Sequence, residues 1–263
     1  MSLGPPDTRS ATTTLADRVA FTLWLPAAVA ATLSTAVGTV IEAVDLGRWA
    51  ALAASGCFVV YGVDRLRDLD RDRHTSPRRT AFIERNLTGF RIALAAATAV
   101  LGITAVGSST ASLTLCVAIG GLGLLHRRLK RLPALKSLYV SIAWTGICVG
   151  LPWLAAPTAT ASDAVALTAV LFPTFWANLV ASNLRDDEAA VRPTRALALA
   201  RIALVLALAA ALVSDTLAPL AWIPAFELLA LATFRPTEHY GHLAVDGALL
   251  AGGLATLAHV AIA

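Results

Sequence analysis

The chain has 263 residues, of which 57% are hydrophobic and only 14% charged, a balance that excludes a water-soluble domain of this size. Apolar runs of about 17 to 25 residues cross a bilayer as helices, and such runs take up nearly the whole chain, leaving no room for a soluble domain. The formal net charge of +4 does not point to nucleic acid, because the basic residues are confined to the connections between those runs.

In chain order, residues 1–17 are rich in Pro, Ser and Thr and predict a flexible cytoplasmic tail. No short apolar core with an Ala-x-Ala exit follows, so a cleaved signal peptide is not expected. A first helix is predicted over 18–40, kinked by Pro26. After an acidic turn around Glu42 and Asp45, a second helix is predicted from Arg48 into the acidic stretch that ends at Asp72. The next connection is basic, with eight arginines from Arg65 to Arg91. Helices three and four, over 90–106 and 111–125, are divided by the uncharged turn at 107–110. A second basic connection runs from His126 to Lys136.

Helix five, over 137–155, carries Gly146 and Gly150, a small-residue face suited to close helix packing. Helix six, over 163–183, ends in Asn183-Leu-Arg-Asp186-Asp-Glu188, and helices over 194–213, 217–234 and 240–262 complete the chain. The expected fold is therefore an all-α bundle of nine membrane spans, with 18–263 as its one domain. Cys57, Cys116 and Cys148 each lie inside an apolar run and read as small buried hydrophobes.

Nine spans place alternate connections on the same side. Of the 21 Lys and Arg residues, Arg48 alone then falls on the side opposite the rest. The positive-inside rule puts the N-terminus and the connections after helices two, four, six and eight in the cytoplasm, and the C-terminus across the cell membrane.

Orientation does not call for acids, yet two acidic clusters emerge on that cytoplasmic face. In the first, Asp64, Asp68 and Asp72 recur every four residues. On a helix this makes a ridge with Tyr61 at its inner end and about 6 Å of rise between neighbours. Two readings are open: a metal site, or a solvated helix end laced by the i,i+3 pairs Asp64/Arg67, Arg65/Asp68 and Asp68/Arg71. The second cluster, Asn183 with Asp186, lies four helices later, the separation expected of two related halves meeting over one cavity. Two acidic clusters beside Lys and Arg, opening into an apolar cavity, suit a lipid diphosphate. Carboxylates hold magnesium, magnesium holds phosphate oxygens, and basic residues neutralise the remainder.

At this point the chain resembles the UbiA superfamily of intramembrane prenyltransferases, over nearly its whole length. The first motif of that family, N-D-x-x-D-x-x-x-D, aligns with Val60-Tyr61-x-x-Asp64-x-x-x-Asp68, and its later Arg-Pro with the reversed Ser76-Pro77-Arg78-Arg79. Arg128-Leu-Lys-Arg-Leu-Pro-Ala-Leu-Lys136 is similar to its Lys-Arg segment, and Ser182-Asn183-Leu-Arg-Asp186 to most of its second acidic motif. Val60, Tyr61 and Ala190 stand where the family has an Asn and two Asp.

The resemblance implies transfer of a prenyl group from a prenyl diphosphate to a hydrophobic or aromatic acceptor, assisted by Mg2+. It implies Asp64, Asp68 and Asp186 as the catalytic acids and, with Asn183, as the metal ligands; Asp72, Asp187 or Glu188 are the candidates to replace a missing acid, Asp72 first because Asp187 and Glu188 are turned about 100° and 200° from Asp186. Tyr61, Arg78, Lys130, Arg131 and Lys136 would bind substrate. Closure of the cation on its own chain, as in UbiA-type terpene cyclases, and binding without turnover are the alternatives. Trp144, Trp153, Phe175 and Trp176 are candidate cavity aromatics. Glu227 and Asp246 lie within helices eight and nine, where an unpaired charge costs about 2.5 to 3.5 kcal/mol, so each is expected to face the bundle interior or an interface. His126, His239 and His242 are expected to be solvated at membrane edges, and His259 packed near the outer end. No phosphate-binding Gly loop or serine triad is present.

Overall fold

The computed structural model describes residues 14–129, 133–185 and 191–263, and among these it is helical throughout, without a strand. Of the predicted tail, residues 1–13 lie outside the described residues; the rest is already ordered by a capping box. The Thr14 hydroxyl accepts the Asp17 N–H at 3.1 Å and the Asp17 carboxylate accepts the Thr14 N–H at 2.8 Å, opening α1 (Leu15–Phe21). The chain then breaks at Thr22–Leu23 and resumes as α2 (Trp24–Val40), bent by 56° from α1. Pro26 is the cause, although the break precedes it. A proline clashes with the carbonyl four residues earlier, here that of Thr22, and is tolerated in the first turn of a helix, where Pro26 now sits.

Glu42 and Asp45, both at φ 55°, close a tight turn into α3 (Leu46–Arg67). Two short helices follow, α4 (Leu69–Thr75) and α5 (Pro77–Arg85), the latter opened by a proline whose missing N–H is no loss at a first position. Next come α6 (Leu87–Ala105), α7 (Thr110–Leu129) and α8 (Pro133–Thr145), the last running through a π-helical turn (Gly146–Gly150) into α9 (Leu151–Ala155). Then α10 (Ala161–Arg185) and α11 (Pro193–Leu212) pack side by side, and a 3-10 turn (Ala218–Ala221) opens α12 (Trp222–Ala232). Finally α13 (Glu238–Tyr240) passes through a second π turn (Gly241–Val245) into α14 (Asp246–Ile262).

Six of these stretches are long and apolar enough to cross a membrane, and the bent α1–α2 pair makes a seventh, where the sequence led us to expect nine. Two further stretches are apolar but shorter among the described residues, one within α7 and the other Ala218–Ala232, which begins as a 3-10 turn around Pro219.

The helices close into a ring in which α3 packs on α2 and α7, then α8, α10, α11 and α12 follow, and α14 returns to α2. Small residues set the closest approaches. A Cβ on Gly252 of α14 would lie 2.6 Å from the Ile223 Cα of α12. On Gly146 and Gly150 it would meet Ile119 and Leu115 of α7 at 2.9 and 2.8 Å, which is the packing face expected of that pair.

Contacts between connections fall at two ends of the bundle. At one end the Val44 N–H donates to the Ala155 carbonyl at 3.2 Å. Arg48 there donates to the carbonyls of Thr104 and Val106 and to Ser108 Oγ, so the one outlying arginine satisfies the exposed carbonyls at the end of α6. Trp222 donates to His259 at the same end. At the other end His239 meets Asp17 at 2.9 Å and the Arg79 N–H donates to Glu238 at 3.2 Å. The cavity opens at this second end.

Candidate functional site: an arginine-rimmed cavity with an aromatic interior

The acidic stretch does not form one ridge. Helix α3 stops at Arg67, and Asp68, at φ −106° and ψ 7°, is the joint from which α4 starts in a new direction. Asp64 thus remains on α3, Asp68 is buried at the joint, and Asp72 rides on α4. The joint still carries the i,i+4 backbone bonds from Asp68 N–H to Asp64 O at 3.0 Å and from Asp72 N–H to Asp68 O at 2.9 Å, and Asp72 meets two guanidinia. Its Oδ2 accepts from Arg65 at 3.3 Å and from Arg79 at 2.9 Å. Nearer the surface, Arg73 bridges Asp70 at 2.8 Å and Glu84 at 2.7 Å, tying α4 to α5. The Glu84 carboxylate raises the pKa of that guanidinium by hydrogen bonding and by its charge.

The cavity lies between α2, α3, α8, α10 and α14. Its rim carries Arg65 from α3, Arg79 from α5, and Ser182 and Arg185 from the last turn of α10. One to three turns further in, Tyr61, Trp144 and Phe175 line it, with Val29 and Leu249 beside them. The Trp144 indole donates to the Tyr61 hydroxyl at 3.0 Å, and the Trp144 and Phe175 rings stand 5.5 Å apart. Such rings present electron-rich faces or edges to whatever occupies the cavity they line.

A polar group sits between rim and aromatics. Arg185 Nη1 lies 3.4 Å from His242 Nε2, and because arginine only donates, that ring nitrogen is the acceptor. His242 Nδ1 therefore carries the proton and donates to Asp246 Oδ2 at 3.1 Å, while Asn178 Nδ2 approaches Asp246 Oδ1 at 3.4 Å. The π turn at Gly241–Val245 widens the helix so that His242 and Asp246 both reach the cavity. Gly241 is needed there for space, since a Cβ would fall 2.6 Å from Arg185 Cδ. Behind this group Glu227 of α12 is fully buried, and neither carboxyl oxygen makes a hydrogen bond of good geometry; Asn178 and Asp246 are the polar groups acting on it.

The predicted site residues divide accordingly. Tyr61 lines the cavity. Arg78 is exposed to solvent, and its neighbour Arg79, 3% exposed, takes the place at the rim expected of it. Asn183 is buried but turned about 100° from Ser182, into the seam with α8, where it donates to Ser137 Oγ at 2.8 Å. Asp64, Asp68 and Asp72 are not on the cavity wall, nor is the half-buried Lys136. Lys130, Arg131, Asp186, Asp187 and Glu188 lie outside the described residues. Among the described residues, no three His, Cys, Asp or Glu side chains gather as a metal site.

Of the four candidate aromatics, Trp144 and Phe175 line the cavity. Trp153 instead donates to the Thr160 carbonyl at 2.9 Å and Trp176 packs against Ala200, Leu204 and their neighbours. His242 is not solvated, as had been expected, but enclosed by Asp246, Arg185 and Phe21. His239 is held by Asp17. Glu227 and Asp246 face the interior, as their cost in a membrane requires. Sequence reasoning missed Arg65, Arg79, Asn178, Ser182, Arg185 and His242 as cavity residues. A signal was there: Phe175, Asn178, Ser182 and Arg185 are spaced three and four apart, one polar-edged face of α10, as are Tyr61 and Arg65 on α3.

Apolar helices of spanning length around a cavity with a charged rim define a multi-pass α-helical membrane protein. No protein-family model matches the chain, and no curated protein or solved structure matches it.

Proposed function

We propose that this protein is a nine-span, UbiA-like intramembrane prenyltransferase, acting on an allylic prenyl diphosphate and a hydrophobic or aromatic acceptor from the bilayer. In this reading α7 and the stretch Ala218–Ala232 are the two short spans, the cavity mouth and the N-terminus face the cytoplasm, and the C-terminus lies across the membrane. One observation carries it. The ends of α3 and α10, four spans apart, deliver Tyr61 with Arg65 and Ser182 with Arg185 to a single cavity, with guanidinia at its rim and Trp144 and Phe175 inside. Guanidinia suit phosphate oxygens and aromatic faces suit an allylic cation.

In the reaction the allylic C–O bond breaks and its electron pair leaves with the diphosphate. The rim arginines meet that charge as it develops. The allylic cation faces Trp144 and Phe175, screened from water; the acceptor ring attacks it, a C–C bond forms, and the displaced ring proton passes to the Asp246 carboxylate. Magnesium, bound by Asp64, Asp68 and Asp186 with Asn183 and Asp72, would add charge at the leaving diphosphate. The described members of that set do not fit the ion as they stand: Asp72 is held by two arginines, Asn183 by Ser137, and Asp64 and Asp68 are off the cavity wall.

Binding without turnover has one observation in its favour, namely that Asp72 already occupies Arg65 and Arg79. The test is product analysis by mass spectrometry. The protein in nanodiscs is given geranyl, farnesyl or geranylgeranyl diphosphate, with and without an aromatic acid acceptor, in Mg2+ or in EDTA. A prenylated arene is the expected result, and its loss in EDTA would show that the acids rearrange to hold a divalent ion. A cyclised hydrocarbon would make the protein a terpene cyclase, and unconsumed but tightly bound prenyl diphosphate would make it a carrier.

A further inference from the structure

We infer that Arg65 and Arg79 form a binding site for a phosphate-type anion at the cavity mouth, and that Asp72 holds this site shut as a built-in competitor. Both guanidinia line the cavity, and both point at one carboxylate oxygen, Asp72 Oδ2, at 3.3 and 2.9 Å. All three side chains are largely removed from solvent, at 16% exposure for Arg65, 4% for Arg79 and 13% for Asp72.

The three residues are not anchored alike. Arg65 belongs to the long helix α3. Arg79 sits on α5, whose start is pinned by the bond from the Arg79 N–H to Glu238, and four α5 side chains, Arg79 among them, are buried. Asp72 rides on α4, seven residues long, which begins at the break after Arg67 and is tied to α5 by Arg73 and Glu84. The arginines sit on the longer or better buried elements, so the carboxylate is the member of the cluster that yields. A diphosphate brings more charge and more acceptor oxygens than a carboxylate to the same two guanidinia, and so displaces it. This reading assigns to Asp72 the role of anion mimic in place of the metal ligand suggested by resemblance. It rests on the prenyl diphosphate proposal only for the identity of the natural ligand.

The experiment uses the full chain in nanodiscs, with inorganic diphosphate as probe, by calorimetry. Asp72→Asn keeps the shape of the side chain and removes its charge; its dissociation constant for diphosphate is expected to fall at least tenfold, about 1.4 kcal/mol. Asp72→Glu, which retains the competitor, should stay near wild type, and Arg79→Gln should abolish binding with either residue at 72. In the unaltered protein, saturating diphosphate should speed hydrogen exchange in residues 69–75 as Asp72 is released, a measurement that does not depend on any variant folding. Unchanged or weaker affinity in a folded Asp72→Asn protein, or slower exchange in 69–75, overturns the inference and leaves Asp72 a structural ion-pair partner. A geranylgeranyl diphosphate arm separates the two proposals. Tighter diphosphate binding by Asp72→Asn without prenyl transfer in any variant keeps the competitor and sinks the enzyme. Prenyl transfer with no Asp72→Asn effect does the reverse.

Discussion

Carboxylates occupy two regions of this bundle and are accommodated there by opposite means. At the rim, Asp72 is neutralised by charge, with Arg65 and Arg79 on one of its oxygens. Deeper in, between α10, α12 and α14, Asp246 is held by an imidazole and an amide, and Glu227 has no hydrogen bond of good geometry at all. The rim can use arginines because their long side chains reach it from helix ends, near water. The interior has only what the helix faces carry, and an unpaired acid persists there at a cost that packing alone does not offset. A cluster stabilised by charge tolerates no loss of a partner, whereas one that is under-satisfied should gain stability on becoming apolar.

That contrast can be broken most decisively at Arg79. Arg79→Ala leaves Asp72 largely buried with half its counter-charge, and is expected to cost about 3 kcal/mol. The expected readout is a lower melting temperature in detergent, together with loss of any prenyl diphosphate turnover. If Arg79→Ala melts with the wild type, the rim is not held together by charge. Glu227→Leu probes the other side. Replacing a buried carboxyl that has no hydrogen bond of good geometry with a side chain of similar volume should raise stability by about 1 to 3 kcal/mol. A melting temperature that falls would show that Glu227 has a partner in the folded protein.

Gly252→Ala tests the frame that brings the two regions together. Its new methyl meets the Ile223 backbone, which cannot swing aside, so about 1 to 3 kcal/mol should be lost. A neutral result would mean that α12 and α14 are not in that contact. The smallest effect is expected one residue from the largest. Arg78→Ala, at an exposed position, should change stability by no more than about 0.5 kcal/mol and leave turnover intact. A large loss of activity at Arg78 would return to it the role that Arg79 takes in the structure.

Much of the scaffold was legible beforehand. The helical stretches fall where the apolar runs place them, the Gly146/Gly150 face meets α7, and Glu227 and Asp246 point inward. These features depend on composition and local periodicity, which a chain carries wherever it is. The site was less legible. Asp64, Asp68 and Asp72 are spaced as a ridge, but the helix is interrupted at Asp68, and Asp72 meets Arg65 and Arg79 while none of the three reaches the cavity wall. Asn183 and Ser182 are adjacent in sequence, yet one faces Ser137 and the other the cavity.

By itself, then, the sequence determined that this is a multi-pass helical membrane protein, roughly where the long apolar helices lie, and that acids and arginines crowd certain helix ends. The tertiary structure alone decided which of those side chains meet: Arg79 and not Arg78, Ser182 and not Asn183, His242 with Asp246 across a π turn. The physical reason is rotational. Periodicity arranges residues around a helix, but the angle at which that helix presents itself is fixed by the neighbours it packs against, and a turn of 100° is enough to exchange a ligand for a packing contact.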